Sequence, residues 1–208
     1  MRITMFYTDI ESFNFFVNQL DYEFRNIGHE TFILDLTDPP EESPNSFAHF
    51  IEFASAKIDL AICFDGMCVR QDILIETWNA WNTMVIDILM DPPSRFHPTL
   101  ERHSTNYRLF CCDRDHVEYV RKYFSKEVTH VDFMPHVGVI PSHDTPVIPY
   151  PMRKYDLLFC GTYYRPQDRM AGLYQILENR PDIQELYQLI YQNMITDSTL
   201  NLEQALLL

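Results

Sequence analysis

The chain has 208 residues, 46% of them apolar, enough for one large domain or one domain with part of a second, and too apolar for disorder over its bulk. Its formal charge is −14, with 30 Asp and Glu against 16 Lys and Arg, a field that repels phosphate backbones and argues against a nucleic-acid role. No apolar stretch reaches the roughly 20 residues of a membrane helix, and MRITMFYTD lacks the basic region and cleavage site of a signal peptide, so no membrane span and a cytoplasmic location are expected.

The N-terminal half alternates strand and helix signals. Residues 2–8 (RITMFYT) form a β-rich run, and 11–27 repeat Phe13, Phe16, Val17, Leu20 and Phe24 at helical spacing before Gly28. A strand over 31–36 follows, then a loop with Pro39, Pro40 and Pro44, a helix over 46–56, and a strand over 58–64 ended by Asp65 and Gly66. A helix over 71–82 leads to MVIDILM, whose near-continuous apolar character suits a strand covered on both faces. The run YRLFCC, a helix over 115–124 and a strand over 130–134 complete about six strand and helix units. With right-handed crossovers this spells an α/β, doubly wound, mostly parallel Rossmann-like sheet.

Residues 137–154 carry four prolines and no periodicity, the composition of a connector. The expected organisation is therefore a Rossmann-like domain over 1–140, a Pro-rich linker over 141–154 and a second domain begun over 155–208. That second part opens with YDLLFCGTYY, which reads as one strand, and continues in helices over 167–179, 182–195 and 200–208. One strand makes no sheet, and the chain ends on the apolar LEQALLL, so an incomplete second domain is expected, with self-association through the C-terminal helices.

Four of the five cysteines (Cys63, Cys111, Cys112, Cys160) fall in predicted strands, Cys68 falls in a loop, and no CxxC pair occurs, so reduced and mostly buried thiols are expected. Five glycines, no GxGxxG and no GxxxxGK[ST] argue against a self-contained dinucleotide or P-loop site. The eight histidines show neither HExxH nor paired ligand spacing, and no Gly-x-Ser-x-Gly elbow occurs, so neither a metal site nor a hydrolase is indicated.

Three apolar runs end in polar signatures, MVIDILMD into PPSRFH, YRLFCCD into RDH, and VDFMP into His136. A parallel sheet collects such ends along its carboxyl edge, where open α/β folds build sites. Asp9, Asp65 and Asp91 each end a strand, and His97 follows Asp91 at the start of a short helix. Each has a plainer role to set beside chemistry. Asp91 precedes two prolines and suits a turn or helix cap, His97 suits an exposed loop, and Asp113 suits an N-cap with Asp115 adding charge in the first turn. Arg114 and His116 open the same helix, where free amides favour anions, and His136 stands at a strand end before the linker. Gly161 and Thr162 end the strand after the linker, where a glycine lets backbone approach a diphosphate, or simply turns the chain, and Tyr163, Tyr164 and Arg165 follow.

The succession MDPPSRFH, NYRLFCCDRDHVEYVRKYF, VDFMPHVG and, past the linker, YDLLFCGTYY resembles bacterial glycosyltransferases of the two-Rossmann-domain (GT-B) type, in the group related to spore-maturation glycosyltransferases. The resemblance spans roughly residues 55–165. It implies sugar transfer from a nucleotide-activated donor to an acceptor, without a resident cofactor or bound metal, with the first domain as acceptor side. Asp91 and His97 are then the catalytic candidates; Asp9, Asp65, Arg114, His116 and His136 the acceptor-side or cleft candidates; and Gly161, Thr162 and Tyr163 the donor-side candidates. A chain ending so early in the second domain is expected to show little transfer alone. A non-catalytic Rossmann-like module for a small ligand or protein partner is the alternative, and a receiver-like regulatory domain is disfavoured because Asp9 alone ends the first strand.

Overall fold

Residues 1–37, 44–136, 138, 146, 148–158 and 165–207 are described by the computed structural model of the chain, 44–47 and 166–171 by backbone alone. Six strands, β1 (Arg2–Tyr7), β2 (Glu30–Asp35), β3 (Leu60–Phe64), β4 (Met84–Leu89), β5 (Tyr107–Cys111) and β6 (Val131–Phe133), form one sheet in the order β2-β1-β3-β4-β5-β6. Every pairing is parallel. The connecting helices are α1 (Glu11–Asn26), α2 (Pro44–Phe53), α3 (Asp72–Trp81), α4 (His97–Glu101) and α5 (Arg114–Tyr123). The α/β Rossmann-like reading of the sequence is thus what the chain adopts, with most element ends within two residues of expectation.

The strand order reverses direction between β1 and β3. With right-handed crossovers, a reversal sends the helices before and after it to opposite faces. The core divides accordingly. On one face Phe13 and Val17 of α1 pack with Ile3, Met5, Leu60, Ile62, Phe64 and Ile88. On the other, Phe50 of α2, Leu74, Ile75 and Trp78 of α3, Leu100 of α4, and Val117 and Val120 of α5 pack with Phe6, Leu34, Val85, Leu89 and Leu109. Among the described helices of this part, α1 alone contributes to the first face. Over β4 to β6 no described helix of this unit covers that face, and Ile86, Met90, Phe110, Cys112 and Met134 are only half-buried.

The chain divides into two compact units, Met1–Thr145 and Pro146–Leu208. The division falls inside the Pro-rich stretch read as a linker. The second unit holds α6 (Pro166–Glu178), α7 (Pro181–Thr196) and α8 (Leu202–Leu207). Leu177 and Ala205 are its buried apolar residues among those described, and Asn193 Nδ2 donates to the Ala205 carbonyl at 2.8 Å, tying α7 to α8. The strand expected from Tyr155 is corrected for residues 155–158, which carry no strand; Leu157 there is 91% exposed. A strand needs a neighbour for its amides, and the described partners in this unit are helices. Residues 159–164, with Cys160, Gly161, Thr162, Tyr163 and Tyr164, lie outside the described residues.

Candidate functional site

The β1–β3 reversal is where ligands meet sheets of this order, and the loops there are built by backbone capture. Thr8 donates its amide to Asn14 Oδ1 at 2.9 Å and accepts from Asn14 Nδ2 at 2.8 Å through its carbonyl, while Ile10 N donates to Thr8 Oγ1 at 3.1 Å. These bonds fix the entry to α1 and leave Asp9 exposed beside it.

After β3 the chain turns through two left-handed residues, Asp65 (φ 50°) and Gly66 (φ 73°). Gly66 is required twice over, because a Cβ there would meet Thr99 Cγ2 at 2.6 Å and because positive φ disfavours L side chains. The turn is braced by two carboxylates that reach across in opposite directions. Asp87, inside β4, accepts the Gly66 amide at 2.9 Å, and Asp65 accepts the amides of Met90 at 2.9 Å and Asp91 at 3.4 Å. Asp65 is 5% exposed, and burial raises its carboxyl above the usual range against the pull of those two amides.

Asp87 is fully buried and also accepts the Tyr107 hydroxyl at 2.6 Å. Burial pushes its carboxyl up to about 6, outweighing the hydrogen bonds from Tyr107 and Gly66. Tyr107 titrates well above its usual range, through burial and then the Asp87 charge. His103 stacks on Tyr107 with ring centroids 4.1 Å apart, and burial lowers its imidazole below the usual value. Cys63 Sγ lies 3.6 Å from Asp87 Oδ1. The expectation of reduced thiols is corrected here: Cys63 and Cys68 are joined as a disulfide with Cα atoms 5.7 Å apart. The left-handed turn at 65–66 curls residues 67–69 back over β3, and the Trp78 indole donates to the Cys68 carbonyl at 2.8 Å to hold them there. Cys111 and Cys112 are free, as expected.

The predicted residues separate into distinct neighbourhoods. Asp91 is half-buried and ion-paired with Arg95, four residues on, rather than capping a helix. His97 opens α4 but turns to α5, its Nε2 2.7 Å from the Tyr119 hydroxyl and its ring edge-on to Phe124 at 4.9 Å. Asp91 and His97 therefore have separate partners. Asp113 is the N-cap of α5 and accepts the Asp115 amide at 2.8 Å, so the capping role is the one it plays. Arg114 lies over the Phe133 ring at 4.3 Å, and His116 is half-buried, its Nδ1 without a hydrogen-bond partner among the described residues. His136 is exposed.

His136 lines a concavity of about 270 Å³ on the α1 face of the sheet. Phe16 and Leu20 of α1 form one wall, and the floor is made by successive strand ends, Phe64, Ile88, Met90, Cys112 and Met134. Gln19, Glu23 and His136 supply the polar side chains of its lining. Burial, and then the negative charge of Asp65, raise the Cys112 thiol above its ordinary value. Among the described residues no group of three His, Cys, Asp or Glu side chains gathers to hold a metal ion, and no helix is long and apolar enough to cross a membrane.

The carboxyl edge was readable from the sequence, whereas Asp87, Tyr107 and the cavity were missed. The signal for Asp87 was present, since a carboxylate inside an otherwise apolar buried strand demands a partner. Compared with known proteins, the chain matches no family model, no curated protein and no solved structure.

Proposed function

We propose that the protein is a glycosyltransferase of the two-Rossmann-domain type, working in the cytoplasm, whose first unit supplies the acceptor side for transfer from a nucleotide-activated sugar. The observation that carries the reading is the cavity at the carboxyl edge of an all-parallel Rossmann-like sheet, beside a strand-end histidine and an edge carboxylate. It supports the acceptor role because the edge carries Asp9, Asp65, Asp91, Asp113 and Asp115. Three arginines near that edge are already engaged, Arg95 by Asp91, Arg114 by Phe133 and Arg70 by the Asp65 carbonyl at 3.1 Å. Such an edge suits an uncharged acceptor and leaves a diphosphate to be held elsewhere.

In this reading the acceptor hydroxyl attacks the anomeric carbon of the donor. A carbon–oxygen bond forms there, the bond to the diphosphate oxygen breaks, and the hydroxyl proton passes to the His136 imidazole or the Asp91 carboxylate. Positioning and removal of the proton are the chain's contributions on this side. Calorimetric titration with uridine-, guanosine- and thymidine-diphosphate sugars tests the assignment. In the full-length protein binding of at least one donor is expected, and no heat with any of them, together with no release of nucleoside diphosphate, refutes it.

A second reading, a non-catalytic Rossmann-like binding module, is favoured by one observation: the two residues expected to do chemistry are occupied, Asp91 by Arg95 and His97 by Tyr119. It gains if the protein releases no nucleoside diphosphate from any of these donors.

A further inference from the structure

We propose that the concavity between α1 and the ends of β3 to β6 binds an uncharged small molecule with an apolar ring or chain and a hydroxyl group, and that this molecule is the acceptor. The acceptor role rests on the transferase reading above; the ligand class stands on the cavity alone. Three observations carry it.

The first is shape and lining. About 270 Å³ lies near the lower end of the roughly 300–1,000 Å³ typical of small-molecule sites, a size for a compact ring system rather than a polypeptide segment. Its floor is aliphatic, aromatic and sulfur-bearing side chains, so a free sugar or amino acid would leave polar groups there without partners. The second is charge. Glu23 is the acidic residue of the lining, which among the described residues holds no Lys or Arg, so an anionic ligand meets repulsion without a cation to offset it. The third is orientation. Among the described residues the polar side chains of the lining come from α1 (Gln19, Glu23) and from after β6 (His136), so a hydroxyl finds its partners there while the apolar body meets the strand ends. This brings the hydroxyl to His136, a site residue expected from the sequence that also lines the cavity.

Cys112 supplies a local reporter, being free, half-buried and part of the floor. The probe is 2-naphthol, with glucose as polar control and 2-naphthalenesulfonate as anionic control. The readout is the rate of N-ethylmaleimide labelling of Cys112, read by fragmentation of the tryptic peptide 109–114; Cys111 in the same peptide is fully buried, with its thiol pushed up to about 12. Labelling is expected to slow about tenfold at ten times the 2-naphthol dissociation constant, by simple mass action. Glucose and the sulfonate should leave the rate within about twofold at the same concentration, because glucose does not suit an apolar floor and the sulfonate meets Glu23 with no Lys or Arg in the lining. Leu20→Glu, which sets a charge into the wall, should abolish protection, and Met134→Gln offers the same test from the opposite side should the first variant fold poorly.

Absence of protection by 2-naphthol, equal protection by the sulfonate, or a Cys112 that is inert in the ligand-free protein because another segment covers the groove would each overturn the proposal. Protection by 2-naphthol without donor binding would remove the transferase reading and leave the ligand class standing. Donor binding without protection would do the reverse.

Discussion

Replacing Asp87 with asparagine removes a titrating carboxyl from the centre of the sheet while keeping its shape. In the native protein the group is fully buried and its carboxyl is raised to about 6, against 3.8 for an ordinary aspartate. A folded-state value above the unfolded one means the fold favours the protonated form. The contribution is therefore fully present below about pH 4 and is lost as pH rises through about 6. A difference of about two pH units corresponds to about 3 kcal/mol at about 1.4 kcal/mol per unit. The side-chain amide of the Asp87→Asn variant does not titrate, so the stability of the variant relative to the native protein should improve by about that amount between roughly pH 3.5 and pH 7.5. The substitution also disturbs the hydrogen bonds from Tyr107 and Gly66, a loss of about 1–3 kcal/mol that is present at both ends of the range and cancels in the comparison. Urea unfolding followed by tryptophan fluorescence is the assay. Both tryptophans, Trp78 and Trp81, lie on α3, so the signal reports the Met1–Thr145 unit. Identical pH dependence in the two proteins would refute the reasoning, because it would mean that Tyr107 and Gly66 hold the carboxylate ionised despite its burial.

Gly66→Ala is expected to cost at least about 2 kcal/mol, from positive φ and from the Thr99 methyl together. Pairing it with Thr99→Ser should recover the steric part alone, measured by thermal unfolding. Asp113→Ala should destabilise by about 1 kcal/mol through loss of the α5 cap, with no change in 2-naphthol protection of Cys112. Tyr107→Phe withdraws a donor from Asp87, so the midpoint of the pH-dependent stability loss should move up from about 6. The tryptic peptide 58–70, which contains both Cys63 and Cys68, should resist alkylation without reductant and take two labels after it; two labels in both conditions would exclude the disulfide.

The sheet was legible because each strand is a short apolar run ended by a polar or turn residue, and because the helix on either side carries its own period. MVIDILM illustrates both the success and its limit. Its character identified a buried strand, but not that Asp87 is bonded to Tyr107, because that depends on the register in which Asp87 faces Leu109. Register follows from packing and loop geometry, which a pattern along one strand does not contain. Cys63 and Cys68 failed for a related reason: their meeting requires two successive left-handed residues, a conformation that Asp-Gly permits without declaring. His97 drew attention by its place after MDPP, and the sequence held no sign that Tyr119, 22 residues later on another element, would engage it. The cavity was out of reach because it exists only once the strand order sends α1 to that face and the other described helices of this unit to the opposite one.

The two reciprocal carboxylates have a mechanical consequence. Asp87 grips the turn after β3 from within β4, and Asp65 grips the turn after β4 from within the turn after β3. Neither loop can change its path without releasing the other, so the pair behaves as a single hinge-free block. A graft that transplants one of these loops into another sheet would arrive without its anchor, whereas residues 63–91 moved together would carry their own clamp.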